Sequence, residues 1–170
     1  MKEVLENLLA RYQHLSDYAD TKLGIIIAFN SAVIFGLFTI MFDQYEWIQY
    51  YFIAVIILNI VSIFFAFSGL FAKTKNNHSF SKKTENRNYF YFKYVAQLNE
   101  HELLENLKKD YELISENFLL EKDLGNQIVV LAKNANRKFG YFNISLNFTI
   151  AAIITPIGLL IFHVYNNPNW

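Results

Sequence analysis

Three long apolar runs constrain this chain more than any other feature of its sequence. The runs cover residues 23–42, 48–72 and 139–164, which is 20, 25 and 26 residues, and none of them contains Lys, Arg, Asp or Glu. An α-helix needs about 20 apolar residues to cross the roughly 30 Å hydrocarbon core of a bilayer. All three runs meet that length, so we expect three transmembrane helices. A cleaved signal peptide is the alternative for the first run, and it is disfavoured because 22 residues of mixed charge precede the run.

The positions of the basic residues predict the orientation in the membrane. The chain has 15 Lys and Arg residues; three of them precede the first run, and the other twelve lie between Lys73 and Lys138. The connection 43–47 and the segment after Val164 contain none. Because cytoplasmic loops of membrane proteins carry an excess of Lys and Arg, we predict that the amino terminus lies inside the cell and the carboxyl terminus outside.

These features predict an all-α membrane protein with a cytoplasmic helical bundle that is continuous with the first and third membrane helices. The predicted parts are a cytoplasmic amphipathic helix at 1–22, a two-helix membrane hairpin at 23–72, a cytoplasmic loop and helical region at 73–138, a third transmembrane helix at 139–164 and a short outer tail at 165–170. The bundle is expected because apolar residues recur every three or four positions from 4 to 19 and from 120 to 135.

Two stretches within 73–138 carry more specific local signals. Asn99, followed three positions later by Glu102, matches a capping box, so a helix is expected to begin there. The polar, basic stretch 73–88 favours a loop. The aromatic stretch 89–94 fits either a short strand or the start of a helix, and the sequence leaves both open.

Small and amide side chains interrupt the apolar runs. Small residues repeat every four positions in the first run, a pattern that lets another helix approach closely. Amides in lipid need hydrogen-bond partners, and Asn30 and Asn147 are expected at a similar depth on parallel helices. The predicted membrane helix contacts are Gly24, Ala28, Asn30, Ala32, Gly36, Asn59 and Asn147. Packing within one chain, contact between subunits and lining of a pore all fit this pattern.

The sequence lacks the residue patterns of the common enzyme classes. It has no cysteine, which excludes a thiol nucleophile and a cysteine-ligated metal. Its six glycines do not form a phosphate-binding loop, and its four histidines are not at zinc-binding spacings. The charges sum to zero, which gives no support to nucleic-acid binding. We therefore predict that the protein is not an enzyme and uses no metal and no cofactor.

Three stretches of the chain resemble a known family. They are DTKLGIIIAFNSAVIFGLF, YFYFKYVAQLNEHELLENL and LEKDLGNQIVVLAKNANRKFGYFNIS. In order, they supply an Asp-x-Lys motif at the first membrane helix, an aromatic segment before a short acidic helix, and an Asp-x-x-x-Gln-x-x-x-Leu motif before the last membrane helix. This order resembles that of the Pycsar effector transmembrane family.

The resemblance implies a bacterial antiphage effector in the inner membrane. Such effectors respond to cyclic UMP or cyclic CMP, which a partner pyrimidine cyclase makes on infection, and they then impair membrane integrity so that the infected cell stops growing. For this chain, the resemblance implies that 73–138 is a sensor region. The expected partners are membrane lipid, the cyclic nucleotide and further copies of the chain, but not nucleic acid.

A cyclic pyrimidine nucleotide needs a cation or amide donors for its phosphate, a donor–acceptor group for its base edge and an aromatic or apolar face for stacking. The candidate cations are Lys22, Lys133, Arg137 and Lys138, and the candidate base readers are Asn126, Gln127 and Asn134. Asp20 and Asp123 are the candidate partners of a ribose hydroxyl or of a cation, and the candidate stacking rings are Tyr89, Tyr91 and Phe92. Structural roles fit the same residues: basic side chains snorkel at membrane interfaces, Asp20 and Lys22 can pair with charges on the last helix, and aromatic rings pack in cores.

Two other functions fit the same sequence. The chain could be a non-enzymatic membrane anchor or accessory subunit whose cytoplasmic bundle docks a protein partner. A small channel or transporter is a further alternative, although the absence of an internal repeat and of charged residues within the runs disfavours a transporter.

Overall fold

Helices account for all the regular elements in residues 1–43, 46–71, 88–114 and 117–166, which are the residues that the computed structural model describes. The helices are α1 (Lys2–Ile40), α2 (Glu46–Leu70), α3 (Phe92–Val95), α4 (Glu100–Tyr111) and α5 (Phe118–Asn166), and a 3₁₀ turn (Met41–Asp43) follows α1. The predicted all-α class is confirmed for these residues. Most of the loop predicted at 73–88 and of the tail at 165–170 lies outside them.

The first and last helices are long and unbroken. α1 has 39 residues and α5 has 49. In α1, neither Pro nor Gly separates the amphipathic segment from the apolar run. In α5, Gly140 stands at the corresponding junction, but a single glycine costs a helix only about 1 kcal/mol and does not end it. The predicted continuity of the first and third apolar runs with the helices that precede them is therefore present in α1 and α5.

The chain divides into two compact units, and both long helices contribute to each. Unit 1 contains Met1–Asp20 and Ala72–Phe139, and unit 2 contains Thr21–Phe71 and Gly140–Trp170. The assignment of the five predicted parts to the membrane and to its two sides stays a prediction.

The core of unit 1 joins apolar faces from α1, α4 and α5 with the aromatic segment. Its buried members are Leu5, Leu8, Tyr12, Tyr89, Tyr94, Val95, Ala96, Leu98, Leu103, Leu104, Leu107, Ile128, Val129 and Ala132. The hydroxyl of Tyr12 donates a hydrogen bond to the backbone oxygen of Tyr89 at 2.8 Å. Burial raises the pKa of the Tyr12 phenol above its ordinary value of 10.0. The segment from Tyr89 forms a turn and then α3, so the structure places no strand there.

The predicted start of α4 is confirmed by its cap. The side-chain oxygen of Asn99 accepts a hydrogen bond from the Glu102 backbone nitrogen at 2.8 Å, and Glu102 Oε2 accepts one from the Asn99 backbone nitrogen at 3.1 Å. These two bonds satisfy backbone donors that the first helical turn leaves open, which explains why the helix begins at this position.

Unit 2 contains helices that are long and apolar enough to cross a membrane. Among the described residues, α1 and the part of α2 from Ile48 to Leu70 meet that test, with mean hydropathies of 2.2 and 2.5 over their most apolar stretches. Only 17% and 28% of those stretches are buried inside the chain, as expected for helices whose other faces contact lipid. The third run, 139–164, is helical as part of α5.

Candidate functional site

Four buried polar residues join the three helices of unit 2. Asn30 of α1 donates through Nδ2 to Ser62 Oγ of α2 at 2.9 Å and to Thr149 Oγ1 of α5 at 3.0 Å. Ser145 of α5 donates through Oγ to the carbonyl oxygen of Ser62 at 2.7 Å. We call these four residues the Asn30 cluster. Amides and hydroxyls surrounded by apolar side chains need such partners, so Asn30 joins helices of one chain.

The other predicted membrane contacts lie in two different environments. Asn59 is buried and donates to the carbonyl oxygen of Val55, in its own helix, at 2.8 Å. In contrast, Gly24, Ala28, Ala32, Gly36 and Asn147 are all exposed. A Cβ atom added at Gly24 or Gly36 would meet nothing within 4 Å. The small-residue stripe of α1 therefore packs against no other described helix of the chain.

Lys138 forms a partly buried ion pair within unit 1. Its Nζ lies 2.6 Å from Asp20 Oδ2 and 2.9 Å from Ser16 Oγ. Lys138 is 7% exposed, whereas the side chain of Asp20 is 40% exposed. The second carboxylate oxygen, Asp20 Oδ1, is shielded from solvent and accepts no hydrogen bond from any described residue. This pair joins α1 to α5, and its carboxylate retains capacity for one more donor.

The remaining predicted ligand residues on α5 are spread along the helix. Asp123 and Lys138 are 15 positions apart, which corresponds to about 22 Å along the axis at 1.5 Å per residue. One mononucleotide cannot contact both ends of that stripe. Lys133, Asn134 and Arg137 are partly buried near the Lys138 end, whereas Asp123, Asn126 and Gln127 are exposed.

Besides Asp20, two predicted ligand residues belong to parts of the chain other than α5. Lys22 belongs to unit 2, where its Nζ lies 5.0 Å from the ring centroid of Phe142, an arrangement that suits a cation–π contact. Tyr91 is 40% exposed and its ring centroid lies 5.5 Å from that of Phe92. Phe92 in turn lies 5.3 Å from Phe139. Tyr91 is thus part of an aromatic row in unit 1 with a ring that is still accessible.

Unit 1 also has a cavity that the sequence did not indicate, between α4 and the beginning of α5. It measures about 360 Å³ and is lined by Glu100, His101, Leu104, Glu105, Lys108, Phe118 and Lys122. The Nζ of Lys108 lies 5.8 Å from the ring centroid of Phe118. We call it the α4–α5 cavity. Its volume falls near the lower end of the range of about 300–1,000 Å³ for small-molecule sites.

The α4–α5 cavity contains the cation and the aromatic face that a cyclic pyrimidine nucleotide requires, together with an acceptor for hydrogen bonds. Lys108 and Lys122 supply ammonium groups, Phe118 supplies an aromatic face, and Glu100 supplies a hydrogen-bond acceptor. Sequence reasoning missed these residues because each is an ordinary surface residue of its own helix. They converge only through the packing of α4 on α5, for which periodicity gives no register. No cluster of potential metal ligands occurs among the described residues.

A comparison with protein families shows which family the chain belongs to. The chain matches the Pycsar effector protein domain over residues 4–165, a range that includes nearly all of both units. The chain belongs to the Pycsar effector family. The resemblance carried by the three sequence stretches is thereby confirmed, and with it a role as a membrane protein of antiphage defence. The comparisons with curated proteins and with solved structures gave no match to this Pycsar effector.

Proposed function

We propose that this Pycsar effector is activated by cyclic UMP or cyclic CMP bound to unit 1, and that it then impairs the integrity of the bacterial inner membrane. The family match over residues 4–165 carries the proposal. The matched range contains the apolar helices of unit 2 and nearly all of unit 1. Because α1 and α5 contribute to both units, a nucleotide that favours one arrangement of unit 1 also biases the two helices that enter the membrane.

The proposed topology has three spans, with unit 1 in the cytoplasm. The asymmetry of Lys and Arg supports it, since all 15 lie on the side predicted to be cytoplasmic. The 49-residue length of α5 supports the third span, because a helix of that length is about 74 Å long and exceeds the thickness of a bilayer. A reporter that is active only in the cytoplasm, fused to Trp170, is expected to give no signal; a strong signal would refute this topology.

The α4–α5 cavity is the proposed nucleotide site. Lys108 and Lys122 are placed to neutralise the cyclic phosphate, because ammonium groups form strong charge-assisted hydrogen bonds with phosphate oxygens. The exposed ring of Phe118 offers a stacking face for the pyrimidine. The carboxylates of Glu100 and Glu105 can accept hydrogen bonds from the base or the ribose. The residues near Lys138 form the competing location, because Asp20 Oδ1 there lacks a donor among the described residues.

Calorimetric titration of the purified full-length protein tests nucleotide binding. Cyclic UMP or cyclic CMP is expected to bind, whereas cyclic AMP is expected to bind at least tenfold more weakly. Dye release from liposomes that contain the protein is then expected on addition of the bound nucleotide. Absence of binding to any cyclic mononucleotide would remove the proposal, and binding without dye release would remove its membrane-impairing step.

Two matched variants locate the nucleotide. Phe118→Ala is expected to weaken binding at least tenfold, whereas Leu119→Ala, at the adjacent position, is expected to leave it unchanged. Both side chains are exposed, at 57% and 74%, so neither truncation is expected to unfold unit 1. Arg137→Ala tests the competing location near Lys138. If Arg137→Ala abolishes nucleotide binding and Phe118→Ala leaves it unchanged, the nucleotide site lies near Lys138 and not in the α4–α5 cavity.

A membrane anchor that docks another protein is the second candidate function. The observation that favours it is a group of exposed apolar side chains where α4 ends and α5 begins, including Ile114 at 82% and Leu119 at 74% exposure. Surface patches of this kind mark interaction sites in many proteins. Under this alternative the protein causes no dye release with any nucleotide, and Leu119→Asp abolishes its function in cells while leaving its insertion into the membrane intact.

A further inference from the structure

Two amides on α5 face away from the rest of unit 2. Asn143 and Asn147 lie one helical turn apart in the apolar run 139–164, and both are exposed. Neither side chain makes a hydrogen bond to any described residue. In contrast, the buried amides of Asn30 and Asn59 are both bonded within the chain.

The position of Asn147 makes an unpaired amide costly. It lies eight residues beyond Phe139, which places it about 12 Å along the helix from the beginning of the run. In a hydrocarbon core about 30 Å thick, that is close to the middle of the bilayer. The asparagine side chain is too short to reach the interface, and lipid tails offer no hydrogen-bond partner. Neither amide on α5 bonds to a carbonyl of its own helix as Asn59 does, so a second polypeptide is well placed to supply the partner.

The shape of this helix face permits close approach. Gly140, Ala151 and Gly158 are exposed and lie on the same side of α5 as the two amides, at spacings of three, four and seven residues. A Cβ atom added at Gly140 or Gly158 would meet nothing within 4 Å. Small residues around a polar residue are typical of interfaces between transmembrane helices. We call these five residues the Asn143–Asn147 face.

A second copy of the chain has the complementary chemistry for this face. Copies inserted in the same orientation are parallel, so each asparagine meets its own counterpart at the same depth. An amide has both donors and an acceptor, so it can bond to an identical amide across a symmetry axis normal to the membrane. We propose that copies of the chain associate through the Asn143–Asn147 face, with both amides hydrogen-bonded between subunits. The proposal depends on the third span of the proposed topology.

Cross-linking in membranes tests this contact, because the chain has no cysteine of its own. Ala151→Cys places one thiol on the proposed face and retains both amides. Ile153→Cys, two residues further, places the thiol about 200° around the helix, where the native side chain is 46% exposed. Oxidation of membranes that contain the full-length protein is expected to give a covalent dimer with Ala151→Cys and at least tenfold less with Ile153→Cys. Equal yields, or none with Ala151→Cys, would overturn the proposal.

Substitution of the amides tests whether they hold the contact. In the Ala151→Cys background, Asn143→Leu combined with Asn147→Leu is expected to lower the cross-linked fraction at least fivefold. Asn143→Gln combined with Asn147→Gln retains the amides and is expected to preserve most of it. Unchanged cross-linking in the leucine variant would refute a role for the amides.

The outcome is separable from that of the proposed function. If cross-linking fails while the Trp170 reporter is silent and nucleotide still causes dye release, the contact is wrong and the function stands. If the reporter shows a cytoplasmic carboxyl terminus, the third span fails, and the contact fails with it.

Discussion

Replacement of Asn30 by leucine should loosen the three-helix packing of unit 2. Asn30 is completely buried and bonds to Ser62 on α2 and to Thr149 on α5. Leucine has a similar shape, so the substitution removes the amide while largely filling its space. Asn59→Leu is the matched control, since Asn59 is equally buried but bonds only to Val55 of its own helix.

The expected loss follows from the bonds that disappear. Hydrogen bonds between transmembrane helices contribute about 0.6 kcal/mol on average and up to about 1.7 kcal/mol. Two of them give a loss of roughly 1–2 kcal/mol for Asn30→Leu. The hydroxyls of Ser62 and Thr149 keep partners, because each also bonds to the carbonyl oxygen of Ser145. No penalty for an unsatisfied group is therefore added. Asn59→Leu removes no interhelical bond and is expected to change stability by less than about 0.5 kcal/mol.

Reversible unfolding in mixed detergent micelles, followed by loss of helical circular dichroism, measures both variants. The difference between them is the informative quantity, because both replace a buried amide with the same apolar side chain. Equal destabilisation by Asn30→Leu and Asn59→Leu would refute the argument that the Asn30 cluster holds the helices together. A double-mutant cycle of Asn30→Leu with Thr149→Val should give a coupling energy of at least about 0.5 kcal/mol.

Three further predictions concern single positions. Gly69→Ala would place a Cβ atom 2.9 Å from Leu23 Cδ1 and should lower the free energy of unfolding by about 1–3 kcal/mol. In contrast, an added Cβ atom at Gly24 meets nothing within 4 Å, so Gly24→Ala should raise the free energy of unfolding by up to about 1 kcal/mol through its higher helix propensity. Glu112 caps α4 with a φ of 50°, so Glu112→Gly should raise stability by about 0.5–1 kcal/mol, seen as a higher melting temperature. Burial raises the pKa of Tyr12 above 10.0, so the stabilisation that the neutral phenol gives the folded protein should be complete below about pH 10 and decrease as the pH rises further. Tyr12→Phe should therefore make the free energy of unfolding less dependent on pH above about pH 10, which a pH series of unfolding measurements checks.

Hydrophobic length and periodicity correctly predicted the all-helical class of the described residues and the continuity of the two long helices. The apolar runs predicted long helices because a bilayer-spanning segment must satisfy its backbone hydrogen bonds internally. Asn99 and Glu102 predicted the beginning of α4 because a capping box depends only on residues three positions apart. The three motif stretches, taken in order, indicated the family. All of these signals are local or additive along the chain, so one sequence suffices to read them.

The sequence predicted the residues of the candidate site much less well than it predicted the helices. The stripe from Asp123 to Lys138 groups residues by helix face, but its length prevents them from acting on one small ligand. The α4–α5 cavity uses Phe118 and Lys122 together with residues of α4, and no sequence pattern indicates which face of one helix meets which face of another. Asn30 and Asn147 looked equivalent in sequence, yet packing buried the first and left the second exposed.

Tyr89 illustrates the same division. Its aromatic neighbours fitted a strand or a helix, because local propensity barely separates the two for such residues. The hydrogen bond from Tyr12, 77 positions earlier in the chain, holds the Tyr89 backbone on α1, and the segment forms a turn and a short helix. Local chemistry therefore defines the helices and their apolar faces. The partners of each polar group depend on contacts between distant residues, which form only when those faces pack together.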